Sequence, residues 1–167
     1  MFATVMTIKG LDGESIVKGY ENSIDLTWIK HEFQMPMTKD KSSNAGPTGR
    51  PTLGDFQIGT LLNKAYPLFL KSCAAGKNLG DVTITSMRIV DGKLKPIVTF
   101  TLEHTYIAEV LMSGVEGADS ANDASHAQVS VRLNYDAITT KYDITDNAAK
   151  ANGAVDSGKL TANGAPA

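Results

Sequence analysis

The sequence predicts a mainly β protein, a two-sheet β-barrel or sandwich of about eight strands with one flanking α-helix at about residues 66–75. Three observations predict it. Short runs of alternating apolar and polar residues recur along most of the 167-residue chain. Turn residues such as Asp12-Gly13 and Asp91-Gly92 punctuate those runs. Only one stretch, Leu62 to Lys77, carries helix signals. There Pro67 suits a first helical position, because its missing N–H would have no partner. Gly76 suits the left-handed residue that stops a helix. Phe69 and Cys73 are four residues apart and so share a face. Pro67, Phe69, Leu70 and Cys73 are the residues expected to pack the helix.

The elements follow in order. Phe2 to Ile8 is rich in β-formers and ends at Gly10. Ile24, Leu26 and Trp28 alternate with Asp25 and Thr27, as on a half-buried strand that runs on to about Met35, with Trp28 in the core. Pro36 to Pro51 holds three of the six prolines and few large apolar residues, which predicts a long loop. Within it Lys39, Asp40, Lys41, Pro47 and Arg50 are the candidates for an assembly interface. Phe56, Ile58 and Leu62 resume a strand before the helix.

Val82 to Val90 changes apolar phase between Ile84 and Met87, which predicts a bulge near Ser86. Asp91-Gly92 then predicts a tight hairpin into a strand carrying Val98, Phe100 and Leu102. Tyr106 to Met112 is a further apolar run, and Gly114 to Ser125 is a small-residue acidic loop. Val129, Val131, Leu133 and Tyr135 differ by one residue in phase from Ile138, Thr140, Tyr142 and Ile144. That shift predicts a turn or bulge near Asp136-Ala137. The domain is therefore expected over 1–145. Residues 146–167 read as a flexible tail, with seven alanines and only Val155 and Leu160 as large aliphatics. Ordering such a tail costs on the order of 1 kcal/mol per residue, and burying two aliphatics returns about 3–6 kcal/mol.

Composition narrows the function. Sixteen basic and 18 acidic residues give a net charge of −2 with no basic run, which argues against nucleic acid as a partner. No apolar run approaches the ~18 residues of a spanning helix. The N-terminus reads as a strand, not as a secretory signal. Cys73, the single cysteine, has no internal partner and reads as a small buried hydrophobe. No phosphate-binding loop, nucleophile elbow or metal-ligand spacing is present, and His31, His104 and His126 are isolated in sequence. The reading is thus of a protein that is no enzyme and that needs no cofactor or metal. Strand edges and an adaptable loop leave assembly as the remaining theme.

Four stretches, in order and spacing, resemble the haemolysin-coregulated protein (Hcp) family of bacterial type VI secretion. Ile8-Lys9-Gly10-Leu11-Asp12-Gly13-Glu14-Ser15, followed by Ile24-Asp25-Leu26-Thr27-Trp28, resembles the family's first turn and strand. Asn63-Lys64-Ala65-Tyr66-Pro67-Leu68 through Cys73-Ala74-Ala75-Gly76-Lys77 resembles its helix. Phe100-Thr101-Leu102-Glu103, and Val131-Arg132-Leu133-Asn134-Tyr135 through Tyr142, resemble later strands. The resemblance runs from about residue 2 to 146. Ala65-Tyr66 stands where Ser or Thr is common before the helix proline, and Gly158-Lys159 stands where many members show Gly-Trp.

The resemblance implies a tube subunit that forms hexameric rings, stacks them into a hollow tube and carries effectors. Its implied partners are other copies, a contractile sheath, a spike protein and effectors. Its implied route is from the bacterial cytoplasm to the exterior through the type VI apparatus, without a signal peptide. Two alternatives share parts of this reading: a phage-like tail-tube subunit and, from another class, a monomeric β-barrel that binds a small ligand.

Overall fold

Alternating side chains sort onto two antiparallel sheets that face each other across one apolar core. The structure, a computed structural model, describes residues 2–38, 46–47, 49–114, 127–145 and 151–163. β1 (Phe2–Ile8) is followed by β2 (Ile24–Asp25) and β3 (Trp28–Lys30). Four two-residue strands come next: β4 (Phe33–Gln34), β5 (Met37–Thr38), β6 (Gly46–Pro47) and β7 (Thr52–Leu53). β8 (Phe56–Leu61) leads into α1 (Tyr66–Ala74). β9 (Val82–Val90), β10 (Lys93–Glu103), β11 (Tyr106–Ser113), β12 (Gln128–Asn134), β13 (Ala137–Thr145) and β14 (Ala151–Thr161) complete the order.

The six-stranded sheet runs β14-β13-β10-β9-β1-β2, and the four-stranded sheet runs β11-β12-β8-β3. Met6, Ile24 and Ile84 line the inner face of the first, and Phe56, Ile58, Val131 and Leu133 come from the second. Burying each of these side chains contributes roughly 1.5–3 kcal/mol.

Two departures from simple alternation have one cause, the chain's passage from one sheet to the other. Leu26 N–H donates to Thr4 O at 2.8 Å, on the six-stranded sheet. Thr27 N–H, the next residue, donates to Gly59 O at 2.8 Å, on the four-stranded sheet. The alternation of Ile24 and Leu26 therefore does not continue into Trp28. Trp28 is 39% exposed, not core, and its indole lies over Gly59. A Cβ at Gly59 would stand 2.1 Å from the indole nitrogen, so only glycine fits there. The phase change near Asp136-Ala137 is the passage from β12 to β13, which belong to different sheets. The bulge expected near Ser86 lies on its partner, where the register shifts between Pro96 and Val98, opposite Ser86 and Met87.

Asp91 (φ 49°) and Gly92 (φ 71°) both take left-handed backbone, as a tight hairpin between Val90 and Lys93 requires. The helix starts at Tyr66, one residue before Pro67, and ends on Gly76 at φ 56°. Gly76 N–H donates to Cys73 O at 3.1 Å and Lys77 N–H to Ser72 O at 3.0 Å, which satisfies two terminal carbonyls. Phe69 is fully buried, and Cys73 is partly buried against the core. Pro67 and Leu70 are exposed, Leu70 at 44%, so they do not pack the helix. At 3.6 residues per turn Leu70 falls about 100° from Phe69, and the buried stripe continues instead through Ser72.

Two further expectations change. Pro36–Pro51 is not wholly loop: Met37 and Thr38 pair with Pro47 and Gly46. With Phe33 and Gln34 paired to Leu53 and Thr52, these rungs form an exposed hairpin arm. Residues 146–167, expected as a flexible tail, include β14 over Ala151–Thr161, paired along β13. Leu160 packs against the core while Val155 stays exposed. Side-chain burial alone underestimates such a segment, because a sheet neighbour also satisfies its backbone.

Candidate functional site

The arm is rooted in the barrel by a small polar cluster. Tyr135, 6% exposed, closes β12 and donates its O–H to Gly54 O at 2.8 Å. That donation uses the phenol's only proton, so His31 Nε2–H donates to Tyr135 Oη, at 2.6 Å. The His31 ring stacks on Phe56 with centroids 5.3 Å apart, and Phe56 in turn meets Phe100 edge-on at 5.2 Å. Burial lowers the His31 pKa below its usual 6.5. Burial, then the nearby Asp55 charge, pushes the Tyr135 phenol up to about 12. Gly54 N–H donates to Glu32 O at 2.9 Å. A Cβ there would stand 2.6 Å from that oxygen, so the two arm strands meet closely only over glycine. Beside this cluster Arg132 bridges Asp55 at 3.3 Å and Glu109 at 3.1 Å.

Beyond the root, Phe33, Met35 and Met37 are all exposed at alternate positions along the arm. Pro47, on β6, and Arg50 are exposed on it as well. Lys39, Asp40 and Lys41 lie outside the described residues.

The sheet margins are the second feature. β2 and β3, two and three residues long, are short edges at the corner where the chain changes sheets. The other two edges are long: β14 has 11 residues and β11 has eight. Both carry exposed apolar side chains, Leu111 at 56% and Met112 on β11, and Val155 at 60% on β14. α1 packs against β11, and Leu79 N–H donates to Thr105 O just before that strand. Long edges leave a row of backbone N–H and C=O groups for another chain.

His104 sits at the β10–β11 turn with φ 50°, 4.0 Å from the Asp136 carboxylate and 66% exposed, as a surface residue. His126 lies outside the described residues. Among the described residues no three His, Cys, Asp or Glu side chains gather as metal ligands, and no helix is long and apolar enough to cross a membrane. Sequence reasoning missed the His31–Tyr135 pair, because the two residues are 104 positions apart and carry no local pattern.

Fold and site together define a helix-flanked antiparallel β-barrel with a hairpin arm and two long edge strands. Residues 5–142 match the family described as "Type VI secretion system effector, Hcp", so this chain belongs to the Hcp family of type VI secretion system proteins. No curated protein sequence matches it. Among solved structures, a type six secretion system protein superposes with a TM-score of 0.84 at 18% identity, covering 95% of this chain and 93% of that one. Hcp1 from Salmonella typhimurium gives 0.75 at 17% identity, with 96% and 95% covered. A type VI secretion system effector from Yersinia pestis gives 0.69 at 17% identity, with 95% and 98% covered. At these identities the likeness is one of fold.

Proposed function

We propose that this chain is the structural subunit of a type VI secretion tube. Six copies close into a ring, and rings stack into a hollow tube that carries effectors, works with a sheath and a spike, and leaves the bacterial cytoplasm through the type VI apparatus. The barrel performs no catalysis in this role. The observation that carries the reading is the family match over residues 5–142. The long edges β11 and β14 support side-by-side closure, since head-to-tail contacts between identical copies form rings when the rotation closes. The exposed arm supports stacking, with Lys39, Asp40, Lys41, Pro47 and Arg50 as its contact residues. The assembling unit is the 1–145 barrel together with its C-terminal strand.

Electron microscopy of the purified protein at high concentration tests this reading, with annular particles as the expected result. Deleting Lys39 to Gly49 is expected to leave the rings and abolish tubes. Tube growth that survives the deletion counts against the arm's role, and an absence of annular particles counts against the whole reading.

A further inference from the structure

Two hollows on the barrel carry opposite charge, and neither is neutralised among the described residues. The first, about 370 Å³, lies between the end of β1 and α1 and is lined by Lys9, Lys71 and Lys77, with exposed Leu68 on its wall. Ser72, 7% exposed, forms part of the same wall. No carboxylate lines it, and none of the three lysines has an ion-pair partner among the described residues. The helix dipole accounts for Lys71 and Lys77, since cations are favourable near a helix C-terminus. It does not account for Lys9, which comes from the turn after β1 and brings a third like charge to the groove.

The second hollow, about 320 Å³, is lined by Glu14 and Asp25, with exposed Leu61 and Leu62. No Lys or Arg lines it, and both carboxylates lack an ion-pair partner among the described residues. Its acids are held in place. Gly13 N–H donates to Asn22 O at 2.7 Å and Ser15 N–H to Ser23 O at 3.0 Å, on either side of Glu14. Thr60 Oγ1 donates to Asp25 O at 2.7 Å.

We propose that the Lys9–Lys71–Lys77 groove of one copy receives the Glu14–Asp25 edge of a second copy. The two faces are opposite in charge, and each includes exposed leucine. They occupy different places on the subunit, so the contact is head to tail and propagates from copy to copy. Opposed charges of this kind steer association and fix its register. The inference deepens the ring reading and rests on it for the number of copies.

The test uses two charge-reversal variants of the full chain, K9E/K71E/K77E and E14K/D25K, with the wild type as reference. Each variant alone is expected to associate ~100-fold more weakly than the wild type. An equimolar mixture is expected to form rings again, because every contact in an alternating ring then joins opposite charges. Either variant closing rings alone as tightly as the wild type, or a mixture that stays dispersed, overturns the pairing. If a reversal variant does not fold, the neutral variants K9Q/K71Q/K77Q and E14Q/D25N take its place, and undiminished association by them overturns it equally. A wild type that never associates refutes the ring reading itself, and that result is read before any variant is made.

Discussion

The two margins of the barrel are finished in different ways. At the corner around Leu26 and Thr27, consecutive backbone amides bond to different sheets, and Ile24 and Leu26 are buried beneath them. Thr60 Oγ1 adds a bond to Asp25 O. The strands there are short, so little backbone is left unpaired. At the other margin β11 and β14 end the sheets as long strands with exposed Leu111, Met112 and Val155. The backbone of the first margin is completed by the chain itself, and only its exposed acids, Glu14 and Asp25, are left for a neighbour. The second ends, among the described residues, in strands with no further strand paired to them. The lesson is that folding draws on the buried side chains of this subunit and assembly on the exposed ones, so they can be broken separately.

The largest expected effect is at the stitched corner. Ile24→Ala removes a fully buried side chain and is expected to cost about 2–5 kcal/mol, measured as a lower urea midpoint. Next comes the arm root. Tyr135→Phe leaves Gly54 O without its donor and the His31 N–H without its acceptor, and is expected to cost about 1–3 kcal/mol.

The same cluster sets a pH dependence. Folding holds the His31 pKa below 6.5, so between that lower value and 6.5 the unfolded chain binds more protons than the folded one. Stability is therefore full above 6.5 and falls as pH drops through that window. Urea titrations from pH 7 downward are expected to show the decline, with a smaller slope in His31→Gln.

Smaller still in stability are changes at the open margin. Leu111→Asp, at a position 56% exposed, is expected to move the urea midpoint by no more than about 0.5 kcal/mol while preventing ring closure. A large loss of stability there would erase the distinction between the margins. Leu70→Asp is the smallest, because Leu70 is 44% exposed on the outer side of the helix. It is expected to fold within about 0.5 kcal/mol of the wild type, which circular dichroism during urea unfolding checks.

Local chemistry made much of the fold readable. The hairpin at Asp91-Gly92 and the helix stop at Gly76 follow from which residues tolerate positive φ. The clean alternation in β12 follows from a strand with one buried face. Sheet switching was hidden, because periodicity reports which face is buried within one sheet and is silent when the chain moves to another. That is why Trp28, in phase with Ile24 and Leu26, lies over Gly59 and not in the core. Pairing by small residues was hidden for a related reason: β14 is held along β13 through its backbone, and Gly46-Pro47 forms a rung without large side chains. The arm root and the two charged hollows join residues distant in sequence, such as His31 with Tyr135 and Lys9 with Lys77. Only the folded chain brings them together.

Sedimentation velocity of the purified wild type over a wide concentration range tests the central claim most directly, that the open margin is completed by further copies of the same chain. The account predicts a discrete species with the mass of six subunits. A single 17.8 kDa subunit at every concentration would contradict it.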